Sequence, residues 1–401
     1  MLYIVTFFIM YAKKVLILIF ISAIIVSCKK NGNEGATKIT PNQPACEDQH
    51  GFRNGNIIDE QYIVVYKSSS SDALTTTLQK TSEISRNILE RNKIRSSAIK
   101  RIFQGKPGGF VAHLSTDEAG RLKKDPTIEI IEPDRVVALS TCFTVAEPRL
   151  VTWNVKRTGF GDGTGKTAWI IDTGIDFDHP DLTVDQARSR SFIDSILSAD
   201  DDNGHGTHIA GVIGAKNNGI GVMGVAAGAT LVSLKALNKD GSGELSAIIE
   251  ALGYVSANGH AGDVVNLSIG EDDVSTILDE QVKNTAAHGI YVAIAAGNDK
   301  ELAANFSPGR ANGKNIYTVS AIDSLDNFAS FSNYGNEVID YAAPGVRILS
   351  TYLGGRYAYM SGTSMASPHV AGLLLLKGNN IATSGHARND PDGTPDPIAH
   401  Y

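Results

Sequence analysis

Six apolar stretches in the second part of the chain are separated by segments long enough for helices, and most of them run straight into Gly, Asp, Ser or Asn. They are 167–171, 230–235, 264–268, 291–296, 317–322 and 338–342. Short buried strands alternating with helices build a parallel sheet covered on both faces. The fold class is therefore α/β, a doubly wound and mostly parallel sheet. In such open sheets the site lies outside the carboxyl ends of the strands, which is where these polar residues fall. Gly, at 40 of 401 residues, exceeds the usual share of about 7% and favours a site built from tight loops on that frame.

A different pattern comes first. Tyr62–Tyr66 and Phe110–Leu114 read as strands, Ser71–Arg91 and Thr116–Lys124 as helices, and Ile128–Pro133 as a closing strand. Two helices on a small antiparallel sheet make a separate domain over residues 59–140. That segment carries 13 basic and 11 acidic residues, whereas residues 141–401 carry 17 and 29. A mildly basic unit thus precedes an acidic one. The whole chain has a net charge of −7, which argues against nucleic-acid binding. Its 42% hydrophobic and 20% charged residues exclude a disordered or fibrous chain.

Lys13 and Lys14 precede the apolar run Val15–Val26, and Ser27 and Cys28 follow it. A charged region, a short apolar run and a small residue form an export signal over residues 1–28. The run is short for a membrane span. Met10 offers a second start for translation. Residues 29–58, rich in Asn, Gly and Pro, read as a polar linker. Cys46 and Cys142 flank the basic unit, and they are either a disulfide or two unrelated thiols.

Three segments carry the chemistry. Ile170–Gly174 puts the carboxylate of Asp172 at the end of a buried strand, Gly204–His208 puts His205 at a helix start among glycines, and Gly362–Ala366 opens a helix with Ser364 in its first turn. A nucleophile, a base and an orienting acid are all supplied. In this order, over about residues 150–378, they resemble the subtilisin and proteinase K family of serine endopeptidases. The resemblance implies an acyl-enzyme mechanism with Ser364 as nucleophile, His205 as general base and Asp172 as the group that fixes the imidazole. It leaves His208 with packing or a local hydrogen bond.

The same resemblance implies the rest of the site. Asn298, after Ala295, Ala296 and Gly297, would hold the oxyanion with the Ser364 backbone N–H. Ser242, Gly243 and Glu244, with Ser268, Ile269 and Gly270, would flank protein or peptide substrates bound as an added strand. Glu271, Asp272 and Asp273 follow, either as a solvated acidic turn or as a rim that favours basic substrate residues. No cofactor is implied for the chemistry. Structural Ca²⁺ is implied at Asp181 with Asn218 in the loop Lys216–Val222, and at a second site on Asp340 with carbonyls near Lys314 and Ile316. The run Asp200–Asp202 reads as a solvated loop.

Residues 59–140 resemble the inhibitory propeptide of these proteases, a small α+β ferredoxin-like domain that acts as an intramolecular inhibitor and is cut off near Thr141. Ile25–Cys28 resembles a bacterial lipobox, which would lipidate Cys28; a simple signal peptide or an uncleaved anchor is the other reading. The expected product is a monomer, exported as an envelope lipoprotein or secreted after cleavage. Transpeptidation on the same fold and a non-catalytic peptide binder are the competing functions, and the intact triad disfavours the second. The peptidase domain is expected over residues 141–378, with a polar tail over 379–401 that leaves the last layer of the fold short.

Overall fold

A computed structural model of the chain describes residues 55–67, 78–104, 108–138, 143–145, 151–270 and 273–401. The export signal with Cys28, Cys46, Cys142, Glu271 and Asp272 lie outside the described residues. Among those described, no helix is long and apolar enough to cross a membrane.

The first unit runs β1 (Ile57–Tyr66), α1 (Leu78–Arg91), β2 (Ile99–Phe103), β3 (Gly109–His113), α2 (Thr116–Leu122) and β4 (Ile128–Ala138). Its antiparallel sheet has the order β4-β1-β3-β2. Period-two alternation sorts the side chains to two faces. Val64, Tyr66, Phe110 and Ala112 pack under the two helices with Ile88, Leu89 and Leu122. Ile63, Val65, Val111 and Val137 point the other way, into the core of the second unit. The first unit therefore has one core of its own and lends its second face to its neighbour. Helix α2 starts at Thr116 as expected, with Ser115 and Glu118 forming a reciprocal capping box, and ends at Leu122, two residues short of the expected Lys124. Strand β2 is absent from the sequence reading because its middle residues, Lys100 and Arg101, break the alternation.

The second unit contains β5 (Phe143–Val145), α3 (Trp153–Thr158), β6 (Thr167–Asp172), α4 (His205–Gly214), β7 (Thr230–Lys235), β8 (Ser242–Glu244), α5 (Leu245–Asn258), β9 (Val264–Leu267), α6 (Thr276–Ala287), β10 (Tyr291–Ala295), β11 (Ile316–Ile322), β12 (Ile339–Pro344), β13 (Ile348–Tyr352), β14 (Arg356–Met360), α7 (Thr363–Lys377), β15 (Ala382–His386) and β16 (Pro397–His400). All six expected strands are present, within two residues at each end. The main sheet runs β15-β16-β12-β11-β10-β9-β6-β7, then a short strand at Arg190–Ser191. It is parallel from β16 to that edge. Alternation again divides the side chains: Ala168, Ile170 and Ala293 join a core with α4 and α7, and Trp169, Ile171, Val292 and Ile294 join one with α5 and α6. Each fully buried aliphatic side chain contributes about 1.5–3 kcal/mol.

The polar tail expected after residue 378 is corrected by the structure. β16 lies parallel to β12 with Ala342 opposite Ile398, and β15 folds back on it antiparallel. Ile398 and Ala399 are fully buried. The Ser320 hydroxyl donates to buried Asp396 at 2.5 Å, and burial pushes that carboxyl up to about 7. Two adjacent apolar residues in a polar stretch give no periodic signal. Only the waiting edge of β12 makes them a strand.

Candidate active site

The carboxyl edge of the sheet gathers the expected residues. Asp172 ends β6 in full burial, and its Oδ1 accepts from the Thr173 N–H at 2.7 Å. The His205 Nδ1–H donates to both carboxylate oxygens, at 2.8 and 2.9 Å. This is possible because His205 opens α4 directly after Gly204, whose φ of 110° is left-handed. A Cβ on Gly204 would lie 2.0 Å from the Tyr352 ring, and one on Gly206 would lie 2.1 Å from the Gly174 carbonyl. The glycines let the imidazole helix close on the acid strand. With Nδ1 held this way the other ring nitrogen, Nε2, is the proton acceptor. It is buried and has no hydrogen-bond partner among the described residues.

Ser364 sits in the first turn of α7, 5% exposed. Its hydroxyl donates to the Ser268 carbonyl at 3.1 Å. The Ser268 hydroxyl in turn donates to the Ser364 carbonyl at 2.8 Å, and Asn266 donates to Ser268 at 2.7 Å. The turn of Ser364 and the segment Ser268–Gly270 are thereby clasped together. Across the site, Asn298 Oδ1 accepts from the Thr363 N–H at 2.9 Å and from its hydroxyl at 3.0 Å. These bonds fix which end of the amide is oxygen and turn its NH₂ end away from Thr363. Ala295 and Ala296 are buried behind it, and a Cβ on Gly297 would lie 2.3 Å from Asn333 Nδ2.

The first unit enters this site. β4 pairs antiparallel with β8, with Ser242 opposite Ala138, Gly243 opposite Val137 and Glu244 opposite Val136. The Val137 side chain is buried in an apolar recess with Ile248, Leu267, Ile269, Leu278 and Pro308. Two carboxylates of β4 meet helix starts, where free N–H groups and the dipole favour them. Asp134 accepts from the Ser246 N–H at the start of α5 at 3.1 Å, and Glu132 accepts from the hydroxyl of Ser275, the N-cap of α6. Burial pushes Asp134 up, and pushes Glu132 up to about 7.

The model of the subtilase family matches residues 163–386, and that of peptidase inhibitor I9 matches residues 61–140. The chain belongs to the subtilase family. It is 35% identical to the subtilisin-like serine protease AsES of Sarocladium strictum over 86% of this chain and 90% of that protein. It is 41% identical to a thermostable alkaline protease of Halalkalibacterium halodurans over 66% and 71%, and 35% identical to alkaline serine exoprotease A of Vibrio alginolyticus over 80% and 60%. The chain thus spans less than two thirds of the Vibrio relative's length. A solved structure of a cold-adapted subtilisin-like serine proteinase matches 63% of this chain and 98% of that one, with a TM-score of 0.55 and 33% identity.

In this subtilase His208 takes the local role expected of it. Its Nε2–H donates to the Ile348 and Ala358 carbonyls at 2.9 and 3.1 Å, and burial pushes its pKa down to about 3. The reading of Asp200–Asp202 as a solvated loop is corrected. Asp201 is buried and accepts from the Thr173 hydroxyl at 2.9 Å, the Gly204 N–H at 3.0 Å and the Thr207 hydroxyl at 2.6 Å. It ties the loop after Asp172 to the helix of His205. Asp202 pairs at 2.6 Å with the ammonium of Lys235, which is fully buried and also donates to the Thr173 carbonyl. Sequence reasoning missed Lys235, although a cation closing an otherwise apolar buried strand was its signal.

The two expected calcium positions differ in how open they are. Asp181 is buried, with Oδ2 accepting from the Val222 N–H at 2.9 Å and Oδ1 left without a hydrogen-bond partner among the described residues. Burial pushes its pKa up, and Asn218 lies beside it. An orphaned buried carboxylate oxygen in an oxygen-rich loop fits a hard cation. Asp340 accepts from the Thr318 N–H at 2.9 Å, and burial pushes it up to about 6. Among the described residues no three His, Cys, Asp or Glu side chains cluster as a metal site, so either position would depend on backbone carbonyls.

Proposed function

We propose that the chain is an exported serine endopeptidase that is made as a zymogen and cuts itself between the two units. The observation that carries this reading is the placement of β4 on Ser242–Glu244, with Val137 sunk in the adjacent recess. The inhibitor thereby occupies the groove as a substrate strand would. Main-chain pairing holds the peptide and pockets choose its side chains. Ser364 attacks the scissile carbonyl while His205 Nε2 takes its proton, and Asp172 stabilises the imidazolium that forms. The oxyanion is met by the Asn298 amide and the Ser364 N–H. His205 then returns the proton to the leaving amine, and water hydrolyses the acyl-enzyme by the reverse sequence. Lipidation at Cys28 would tether the precursor, and cleavage near Thr141 would release the catalyst from that tether. The salt bridge from Arg135 to Asp273 at 3.2 Å supports an acidic rim that accepts basic residues.

Intact-mass analysis of the purified chain, followed by challenge with an unfolded protein, tests the proposal. Loss of about 140 residues together with peptide release is expected; a folded chain that stays whole and inert overturns it. Asn298→Ala should lower kcat by about 10²–10³ with little change in KM, the loss known for this donor in subtilisin itself. A fall in kcat of less than about threefold in steady-state assays would remove Asn298 from the oxyanion site.

Ca²⁺ would be held by Asp181 and Asn218 with carbonyls of their loop, where it would neutralise a buried charge. Saturating Ca²⁺ should raise Tm by about 5–10 °C over chelated protein, from about 2.7 kcal/mol of binding linkage at a hundredfold excess over Kd. Asp181→Asn should abolish that difference. Thermal melts that coincide with and without Ca²⁺ in the unsubstituted protein would contradict the assignment.

A further inference from the structure

Cations of the first unit cover a set of carboxylates beside the substrate groove. Lys100 and Arg101, adjacent on β2, reach across to the peptidase unit. The Lys100 ammonium lies 2.8 Å from Glu244 and 3.5 Å from Asp194. The Arg101 guanidinium lies 3.2 Å from Glu250, 3.4 Å from Asp194 and 3.5 Å from Glu244. The Arg101 side chain is 9% exposed and its partners Glu250 and Glu244 are 20% and 29% exposed, so those two contacts are more than solvent-washed surface pairs, while Asp194 stays open to water. Among the described residues, the ion pairs of Glu244 and Asp194 are with the first unit alone. Glu250 also feels Arg190 of its own unit. Departure of the inhibitor therefore strips Glu244 and Asp194 of their partners in a unit that already carries an excess of acid.

The register says which substrate residue would meet them. Glu244 is directly opposite Val136, and residues opposite one another in an antiparallel pair project to the same face with Cβ atoms about 4.5–5.5 Å apart. Val136, Lys100, Asp194 and Glu244 line one cleft of about 600 Å³. Val137 points to the opposite face, into the apolar recess. The inhibitor can carry an apolar residue at position 136 because β2, at the far edge of the same sheet, supplies the cations. A substrate strand comes without that sheet and must bring the charge itself.

We propose that Glu244 and Asp194 are specificity-determining residues that select Lys or Arg in protein substrates, at the residue immediately N-terminal to the one that fills the apolar recess. The inference rests on the proteolytic reading above and names the substrate class. A cation there reaches both carboxylates through the space that Lys100 and Arg101 vacate, and it restores the charge balance lost on maturation.

The test uses the matured enzyme and two quenched fluorescent peptides with the chain's own residues 133–144, one with Val136→Lys and one with Val136→Gln. The expected kcat/KM ratio favours the Lys peptide by about three- to tenfold at low ionic strength. It should fall toward one at about 0.5 M salt, where the screening length is only a few ångströms. It should also fall to about one in the Glu244→Gln, Asp194→Asn double variant. If that variant does not mature, Asp194→Asn alone, at a side chain 59% exposed, must lower the ratio. Equal cleavage of the two peptides by the unsubstituted enzyme, or a preference that survives both substitutions, overturns the inference and leaves the proteolytic reading standing. If the unsubstituted enzyme cuts neither peptide nor an unfolded protein, both readings fall.

Discussion

Ser364→Ala should fold normally, keep its full precursor length and show no measurable hydrolysis. Among the described residues the hydroxyl it removes makes one hydrogen bond, to the Ser268 carbonyl, worth about 0.5–1.5 kcal/mol. The turn stays fastened, because the Ser268 hydroxyl donates to the backbone carbonyl of residue 364, a group the substitution leaves in place. Tm should therefore move by only a few degrees, while kcat should fall by about 10⁶, the scale known for loss of the nucleophile in subtilisin. Self-cleavage uses the same hydroxyl, so maturation should stop as well. Mass spectrometry of the purified variant decides between two routes. If it stays whole alone but is trimmed near residue 140 when a trace of unsubstituted enzyme is added, the cut depends on this site. If it is trimmed in isolation, Ser364 is not the nucleophile of that step.

Whether a residue's role can be read in the sequence depends on the kind of contact it makes. The parallel strands were readable because each carries its own buried run, and the polar residues that stop those runs mark the site's edge. Asp172, His205 and Ser364 stood out through their short neighbouring motifs, which fix local geometry. Val137 and Glu244 are different. Glu244 was expected beside a bound strand through the family resemblance alone, and its pairing with Val136 crosses more than 100 residues, so neither the register nor the recess that takes Val137 is announced by nearby residues. Asp201 was misread for the same reason. A run of three acidic residues is ordinarily solvated, but here one is buried on Thr173 and Thr207 and the next is neutralised by Lys235. Ile398 and Ala399 show that an isolated apolar pair becomes a strand only where a sheet edge is waiting for it.

Asp172→Asn probes the part of the site that is most fully enclosed. Asp172 has no solvent access, and both of its oxygens face His205 Nδ1. An Asn side chain fits the same space. Its oxygen can keep the bond from the Thr173 N–H, but then its NH₂ group faces the imidazole. Two donors cannot point at each other, so Nδ1 must become the acceptor and the ring proton must move to Nε2. That nitrogen can no longer take the proton of Ser364. The expected result is a fall in kcat of about 10⁴, the scale of a wrong tautomer in the Ser-His-Asp arrangement, with KM little changed because the groove is untouched. Folding should survive. The imidazole helix is still held by Asp201, which bonds Gly204 and Thr207, and the buried ammonium of Lys235 keeps its pair with Asp202. Asp172→Ala makes the contrast, since it leaves a void with no donor and lets the ring choose its tautomer. It should retain more activity per folded molecule than the Asn variant while losing more stability. Active-site titration, steady-state rates and thermal melts on the pair would separate tautomer control from packing. If both variants lost the same activity in proportion to their loss of folded protein, the carboxylate's task would be structural rather than to fix the proton on the base.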